Sequence, residues 1–95
     1  MPARLSLRER DLVFRVFPGE EFVVVYDARN GDTHLVGEVA YELCQFLADS
    51  PMTADELKRR LLLTFPEDDP DLVADGVDAA LMQLESAYFV FAAAN

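Results

Sequence analysis

The sequence predicts an α+β fold, in which a three-stranded antiparallel sheet is followed by three helices. Two segments in the first third of the chain are rich in Val and Phe, which fit a pleated and half-buried surface. Beyond Gly37, apolar residues recur at the spacing of a helix, and capping residues and prolines divide this part into three helices. Because single domains typically contain about 100 to 150 residues, the chain of 95 residues is expected to form one domain over residues 1–95.

Turn residues divide the first part of the chain into three strands, predicted at residues 12–17, 22–27 and 32–36. The Pro-Gly-Glu-Glu sequence at 18–21 separates the first two strands. Asn-Gly at 30–31 separates the second from the third and favours a type I′ hairpin turn, in which both central residues have positive φ. Since the third strand is added last to the meander, we expect it to lie at an edge of the sheet.

The first two helices are predicted from a polar stripe and from a capping box. The first begins near Gly37 and is buried on most sides, with a polar stripe at steps of four, three and four residues: Glu38, Glu42, Gln45 and Asp49. At the start of the second, Thr53 and Glu56 form a capping box, in which each side chain accepts a hydrogen bond from the other residue's backbone N–H. This helix is expected to end near Thr64, because Pro66 disfavours helical geometry in the residue before it.

The third helix is predicted to begin with Asp69 as its N-cap and Pro70 at its first position. Gly76 lies within this helix, where glycine is less favourable than alanine by about 0.5–1 kcal/mol. It has two interpretations: it opens a shallow groove on the flank that it shares with Leu72, Ala79, Ala80 and Gln83, or it lets the helix pack closely on the core. Beyond the helix, the short apolar segment 89–91 either pairs as a strand or packs on the core.

The charge distribution argues against a nucleic-acid partner. The formal net charge is -10, and seven acidic residues occur from 67 to 85 without any Lys or Arg: Glu67, Asp68, Asp69, Asp71, Asp75, Asp78 and Glu85. Such a surface repels phosphates and attracts cationic partners. A DNA-binding winged helix has the same order of elements, but a third helix of this charge lacks the counterion release that gives DNA affinity.

Catalysis, a cofactor and a metal site all lack support in the sequence. His34 and Cys44 are the only His and Cys residues, and they lie on different predicted elements. A zinc site uses three or four protein ligands, chiefly His and Cys, and a phosphate-binding loop needs clustered glycines, which this chain does not have. We therefore expect a buried Cys44 thiol. His34 is either a partly exposed strand residue or a binding contact.

The composition predicts a cytoplasmic protein. A single cysteine cannot form a disulfide within the chain, and the first eleven residues contain no apolar stretch of the kind that a signal peptide needs. No run of about 18 apolar residues is present, so we expect no contact with a membrane interior.

The candidate binding site is the open edge of the third predicted strand. Residues 33–36 contain no Lys or Pro, which commonly protect such an edge from pairing. An unprotected edge offers free N–H and C=O groups to an extended peptide that adds as a further strand. Three alternatives remain: the strand is too short, residues 89–91 cover it, or the edge joins two copies of the chain or a partner enzyme as a scaffold.

Four segments, in this order, resemble the PqqD family of peptide chaperones, in particular those of the HPr-rel-A system: Val25-Tyr26-Asp27, Asn30-Gly31-Asp32-Thr33-His34-Leu35, Thr53-Ala54-Asp55-Glu56-Leu57 and residues 81–90. The resemblance covers almost the whole chain. It implies a winged helix-turn-helix-like domain known as a precursor-peptide recognition element, which is not an enzyme. Members bind the leader of a ribosomally made precursor peptide as an extra strand and present it to a peptide-modifying enzyme.

The resemblance also implies where the peptide binds. Carried over by position, the peptide groove lies between residues of the third strand and the third helix: Thr33, His34, Leu35 and Val36, facing Leu72, Val73, Gly76, Val77 and Ala80. This is the same edge that the strand pattern indicates. One departure from the family is Gly37, which stands where a better helix N-cap such as Asn or Asp is expected.

Overall fold

The computed structural model describes residues 4–8 and 11–92. In this part of the chain, strands and helices follow one another in the order β1 (Leu5–Leu7), β2 (Leu12–Val16), β3 (Phe22–Asp27), β4 (Asp32–Gly37), α1 (Glu38–Asp49), α2 (Ala54–Thr64), α3 (Pro70–Ser86) and β5 (Val90–Ala92). This order confirms the predicted α+β fold, in which a three-stranded antiparallel sheet is followed by three helices in a winged-helix-like arrangement.

Strands β2, β3 and β4 form an antiparallel sheet in that order, so β4 lies at an edge, as predicted. Side chains alternate between the two faces of the sheet. Val25 and Val36 belong to the buried core, whereas Tyr26 and Leu35 on the opposite face are 43% and 58% exposed. One face of the sheet therefore contributes to the core, and the other is open to solvent.

The turn between β3 and β4 differs from the predicted type I′ hairpin. Gly31 has a φ of +79°, but Asn30 does not have a positive φ. The turn comprises residues 28–31, and the Gly31 N–H donates to the Asp27 carbonyl oxygen at 2.8 Å. The Asn30 side chain accepts a hydrogen bond from the backbone N–H of Asp32 at 2.9 Å. Asn30 therefore stabilises the turn through its side chain and not through a left-handed backbone.

The helix boundaries agree with the predicted capping residues. α1 begins after Gly37, which has an extended backbone and no side-chain cap. At the start of α2, Thr53 and Glu56 make both hydrogen bonds of the capping box, and the bond from the Thr53 N–H holds the pKa of the Glu56 carboxyl below its usual value. α3 begins with Asp69 as its N-cap and Pro70 in its first turn.

A second sheet consists of β1 and β5, and β1 was not predicted from the sequence. The two strands pair antiparallel, with Ser6 opposite Phe91. The Leu5 N–H also donates to the Met52 carbonyl oxygen at 2.7 Å, which ties β1 to the segment between α1 and α2. In the described part of the chain, the C-terminal apolar segment therefore pairs with β1 and leaves the edge of β4 uncovered by a strand.

The core lies between the inner face of the sheet and the three helices. Leu43, Leu57 and Leu84, from α1, α2 and α3 respectively, are fully buried. Cys44 is 1% exposed, as predicted, and burial raises the pKa of its thiol to about 12. Such a thiol is protonated at neutral pH and is a poor nucleophile. Among the helices in the described ranges, none is long and apolar enough to cross a membrane.

Candidate functional site

One hydrogen bond shows which backbone N–H and C=O groups of β4 point away from the sheet. The Leu35 carbonyl oxygen accepts a hydrogen bond from Nε2 of Gln83, on α3, at 3.1 Å. This carbonyl therefore points away from β3. Because bonded and non-bonded positions alternate along an antiparallel strand, the N–H and C=O groups of Thr33 and Leu35 face the edge, whereas those of His34 and Val36 face β3.

A depression of about 480 Å³ lies where the end of β4 and the start of α1 meet the second half of α3; we call it the edge groove. Its helical wall is made by Ala79, Ala80 and Gln83, and its opposite wall includes Gly37 and Val39. Half of the lining residues are Gly or Ala, so a peptide backbone can approach this part of the groove closely. A peptide that pairs with β4 would run directly into this groove.

A larger cavity of about 610 Å³ adjoins the edge groove, since Glu38 and Val39 line both. We call it the acidic pocket. Residues of β2, β3 and the turn between them, of α1, of the end of α2 and of the start of α3 form its walls. Its lining includes five carboxylates: Glu20, Glu38, Glu42, Asp68 and Asp69.

The four predicted strand residues occupy two environments. Thr33 and Leu35 are exposed at the edge, as a binding role requires. Val36 is 2% exposed and belongs to the core. His34 is half-buried, and its ring meets the ring of Phe89 edge-on, with centroids 5.0 Å apart. Among the described residues, no group of three or more His, Cys, Asp or Glu side chains lies close enough together to hold a metal ion.

The predicted helix residues divide between the two cavities and the core. Ala80 lines the edge groove, and three others line the acidic pocket: Leu72, Val73 and Gly76. Val77 is fully buried in the core and presents no surface to a ligand. The side chain that α3 brings to the strand is that of Gln83, which was not among the predicted site residues. Its spacing of seven residues from Gly76 was the signal that it lies on the same flank.

Gly76 opens the acidic pocket and does not serve close helix packing. A Cβ atom built at this position would meet no heavy atom within 4 Å, and the residue does not have a positive φ. Gly76→Ala is therefore expected to raise the free energy of unfolding by about 0.5–1 kcal/mol, since alanine is the better helix former. Urea denaturation measures this change. The control Ala79→Gly, at an exposed position of the same helix, should lower stability by a similar amount; a destabilised Gly76→Ala variant would contradict the open geometry.

An ion pair at the base of the β3–β4 hairpin fixes the position of β4. The Asp27 side chain is 1% exposed, and its carboxylate accepts hydrogen bonds from Nε and Nη2 of Arg29. Arg29 Nη2 also donates to the carbonyl oxygen of Ala87, just after α3, at 3.4 Å. The hydrogen bonds from Arg29 hold the pKa of the Asp27 carboxyl at about 2, below its ordinary value of 3.8. The pair therefore joins the turn that leads into β4 to the end of α3.

Comparison of the sequence with protein-family models and with curated proteins finds no match. Among solved structures, the fold is similar to that of TbiB1, which was solved in complex with the TbiA(beta) leader peptide. The TM-score is 0.68 at 13% sequence identity, and the similarity covers 95% of this chain and 99% of the TbiB1 chain. At this identity the similarity establishes a shared fold.

Proposed function

We propose that this chain binds an extended peptide as an additional strand along the edge of β4, against the flank of α3. The peptide is the leader of a ribosomally synthesised precursor, and the domain acts as a PqqD-like, non-catalytic chaperone in the cytoplasm. It presents the bound precursor to a peptide-modifying enzyme. The site consists of the predicted strand and helix residues other than the core residues Val36 and Val77, and Gln83 occupies one of its backbone acceptors in the free protein.

The observation that carries this proposal is the edge of β4, which no strand covers in the described part of the chain and whose last residue, Gly37, lines the edge groove. Thr33 and Leu35 offer two N–H and two C=O groups for strand addition. Four backbone hydrogen bonds at about 1 kcal/mol each and two buried apolar side chains at about 2 kcal/mol each contribute about 8 kcal/mol before the cost of association is subtracted. Because about 8 kcal/mol corresponds to micromolar affinity, we expect a dissociation constant in the micromolar range or above it.

The fold and the charge of α3 add support. TbiB1, whose fold is similar, was solved in complex with a leader peptide, so this fold is compatible with such a ligand. The exposed acidic residues of α3 would repel nucleic acid, because a recognition helix needs cationic side chains near the phosphates.

A proton–nitrogen NMR titration with synthetic precursor peptides encoded beside the gene tests this proposal. Saturable shifts of the amides of Thr33, Leu35 and Ala80, with unchanged amides in β2, are the expected result. Shifts confined to β2 would mean that the peptide adds to the opposite edge. An unchanged spectrum, together with concentration-dependent dimerisation through β4, would replace peptide binding with the scaffold function.

Gln83 occupies a backbone acceptor that the peptide would use, and its removal should therefore tighten binding. The Nε2 atom of Gln83 lies 3.1 Å from the Leu35 carbonyl oxygen. An incoming peptide N–H must replace this hydrogen bond, which contributes about 0.5–1.5 kcal/mol to the free protein. Gln83→Ala is expected to lower the dissociation constant about three- to tenfold, as measured by calorimetry.

The matched control is Gln45→Ala, which removes an exposed glutamine from α1 and should leave affinity unchanged. Weaker peptide binding by Gln83→Ala would show that the Gln83 amide contacts the bound peptide and does not compete with it.

A further inference from the structure

The acidic pocket combines apolar lining residues with charged residues that are all negative. Its lining contains no Lys, Arg or His among fifteen residues, whereas five of them are acidic. Glu38 and Glu42 lie one turn apart on α1 and therefore on the same side of that helix. Asp68 and Asp69 line the cavity from the loop before α3 and Glu20 lines it from the turn between β2 and β3, so acidic residues of three segments surround it.

The apolar part of the lining is not fully covered by the chain itself. Leu72, Phe65 and Val16 line the pocket and are 70%, 43% and 55% exposed. Large apolar side chains at the mouth of a cavity are typical of a surface that a ligand covers. A volume of about 610 Å³ is large enough for two adjacent amino-acid side chains.

We propose that the acidic pocket binds an arginine or lysine residue next to a large apolar residue of the bound peptide. The long aliphatic stem of such a cation packs on apolar walls while its charged head reaches the carboxylates. The pocket adjoins the edge groove through Glu38 and Val39, so a peptide paired with β4 leads into it. The inference rests on the proposed function, because it assigns a sequence preference to the same peptide.

The geometry favours a peptide cation over a metal ion. Among the described residues, the carboxylates are not grouped closely enough for three of them to hold one metal. Separated carboxylates around an apolar interior suit a guanidinium or ammonium group, which can bind any of them through directional N–H donors. The pocket therefore prefers a peptide that has a positively charged residue next to a large apolar residue.

Capped dipeptides test the pocket separately from strand addition, because they are too short to add a strand. The probes are N-acetyl-Phe-Arg-amide and the matching Phe-Gln and Phe-Glu compounds, titrated into labelled protein while the amides of Val39, Tyr41 and Gly76 are followed. At low salt, the arginine probe is expected to bind about three- to tenfold more tightly than the glutamine probe, and the glutamate probe most weakly. Raising NaCl to about 0.5 M should remove most of this difference, since salt screens exposed charges.

Equal affinities for the three probes, or no shifts at the pocket with any of them, would overturn the inference. The proposed function is judged separately by longer peptides and the amides of Thr33 and Leu35. If longer peptides shift those amides but the dipeptides show no charge preference, strand addition stands and the cation site fails. If the arginine probe binds and no longer peptide reaches β4, the cation site stands and strand addition fails.

Glu42→Gln tests the charge without changing the shape of the side chain. This variant should show a smaller preference for the arginine probe over the glutamine probe, because one of the five carboxylates of the pocket loses its charge. Glu85→Gln is the matched control, because it makes the same change in net charge on the exposed surface of α3 outside the pocket. An equal loss of preference in both variants would attribute the effect to the overall charge of the protein and overturn the site.

Discussion

Leu35→Pro is expected to abolish peptide binding while the domain remains folded. The Leu35 N–H faces the open edge, so its removal takes away a donor for the peptide and no hydrogen bond within the sheet. Proline is tolerated on edge strands for this reason. Its ring would also project toward the incoming strand, so the neighbouring bonds cannot form either. We expect the dissociation constant to rise by at least about 100-fold, from a micromolar value that calorimetry can measure.

Two further variants separate the backbone effect from the side chain and from folding. Leu35→Ala keeps the N–H and should weaken binding only a few-fold. His34→Pro removes a donor that faces β3 and should destabilise the sheet itself, which thermal unfolding will show. A folded Leu35→Pro variant that still binds the peptide would exclude strand addition at this edge.

The parts of the fold that the sequence predicted correctly depend on local chemistry. The capping box at Thr53 and the Asp69-Pro70 start of α3 involve residues within one helical turn, and both were found at the predicted positions. The edge position of β4 followed from the order of two short connections. In each case the interacting groups are close in sequence, so no knowledge of tertiary packing was needed.

The features that the sequence did not predict depend on contacts between distant segments. β1 pairs with β5, which lies more than 80 residues further along the chain. With three residues, β1 is too short to show the alternation of apolar and polar residues that predicts a strand. The turn at 28–31 follows in part from the ion pair between the buried Asp27 and Arg29, which the Asn-Gly pattern does not reveal. The burial of Asp27 depends on its pairing with Arg29 in the folded chain and could not be predicted from the residue type.

The candidate site shows the same division. The exposed edge residues could be predicted, because strand order and composition determine them. The contact of Gln83 with Leu35 could not, because the two residues are 48 positions apart in the sequence. The acidic pocket is assembled from three helices and the β2–β3 hairpin, so its carboxylates are scattered in the sequence. Val77 was predicted to face the peptide and is instead fully buried. The helical rotation that separates it from Gly76 is fixed by packing against α1 and α2.

Asp27→Asn is expected to cause the largest loss of stability among single polar substitutions in the sheet. Asparagine keeps the size of the side chain but removes the carboxylate that Nε and Nη2 of Arg29 bind, at a side chain that is 1% exposed, and leaves Asp11 as the remaining nearby anion. Removing the anion is destabilising, because the Arg29 side chain, which is 28% exposed, keeps its charge at a partly desolvated place. We expect the midpoint of thermal unfolding to fall by about 10 °C or more. The control is Asp32→Asn, which makes the same charge change at the exposed residue paired with Asp27 and should have little effect.

The pH dependence of this effect has a defined sign. The pKa of Asp27 is lowered from 3.8 to about 2 by the hydrogen bonds from Arg29, so the folded state holds the ionised carboxylate more strongly than the unfolded chain does. The stabilisation is fully present above the unfolded value of 3.8 and is lost as the pH falls through about 2. Denaturation of the native protein and of Asp27→Asn should therefore differ most at neutral pH and converge between about pH 4 and pH 2. A difference that stays constant over this interval would show that the loss comes from the altered hydrogen-bond geometry and not from the charge of Asp27.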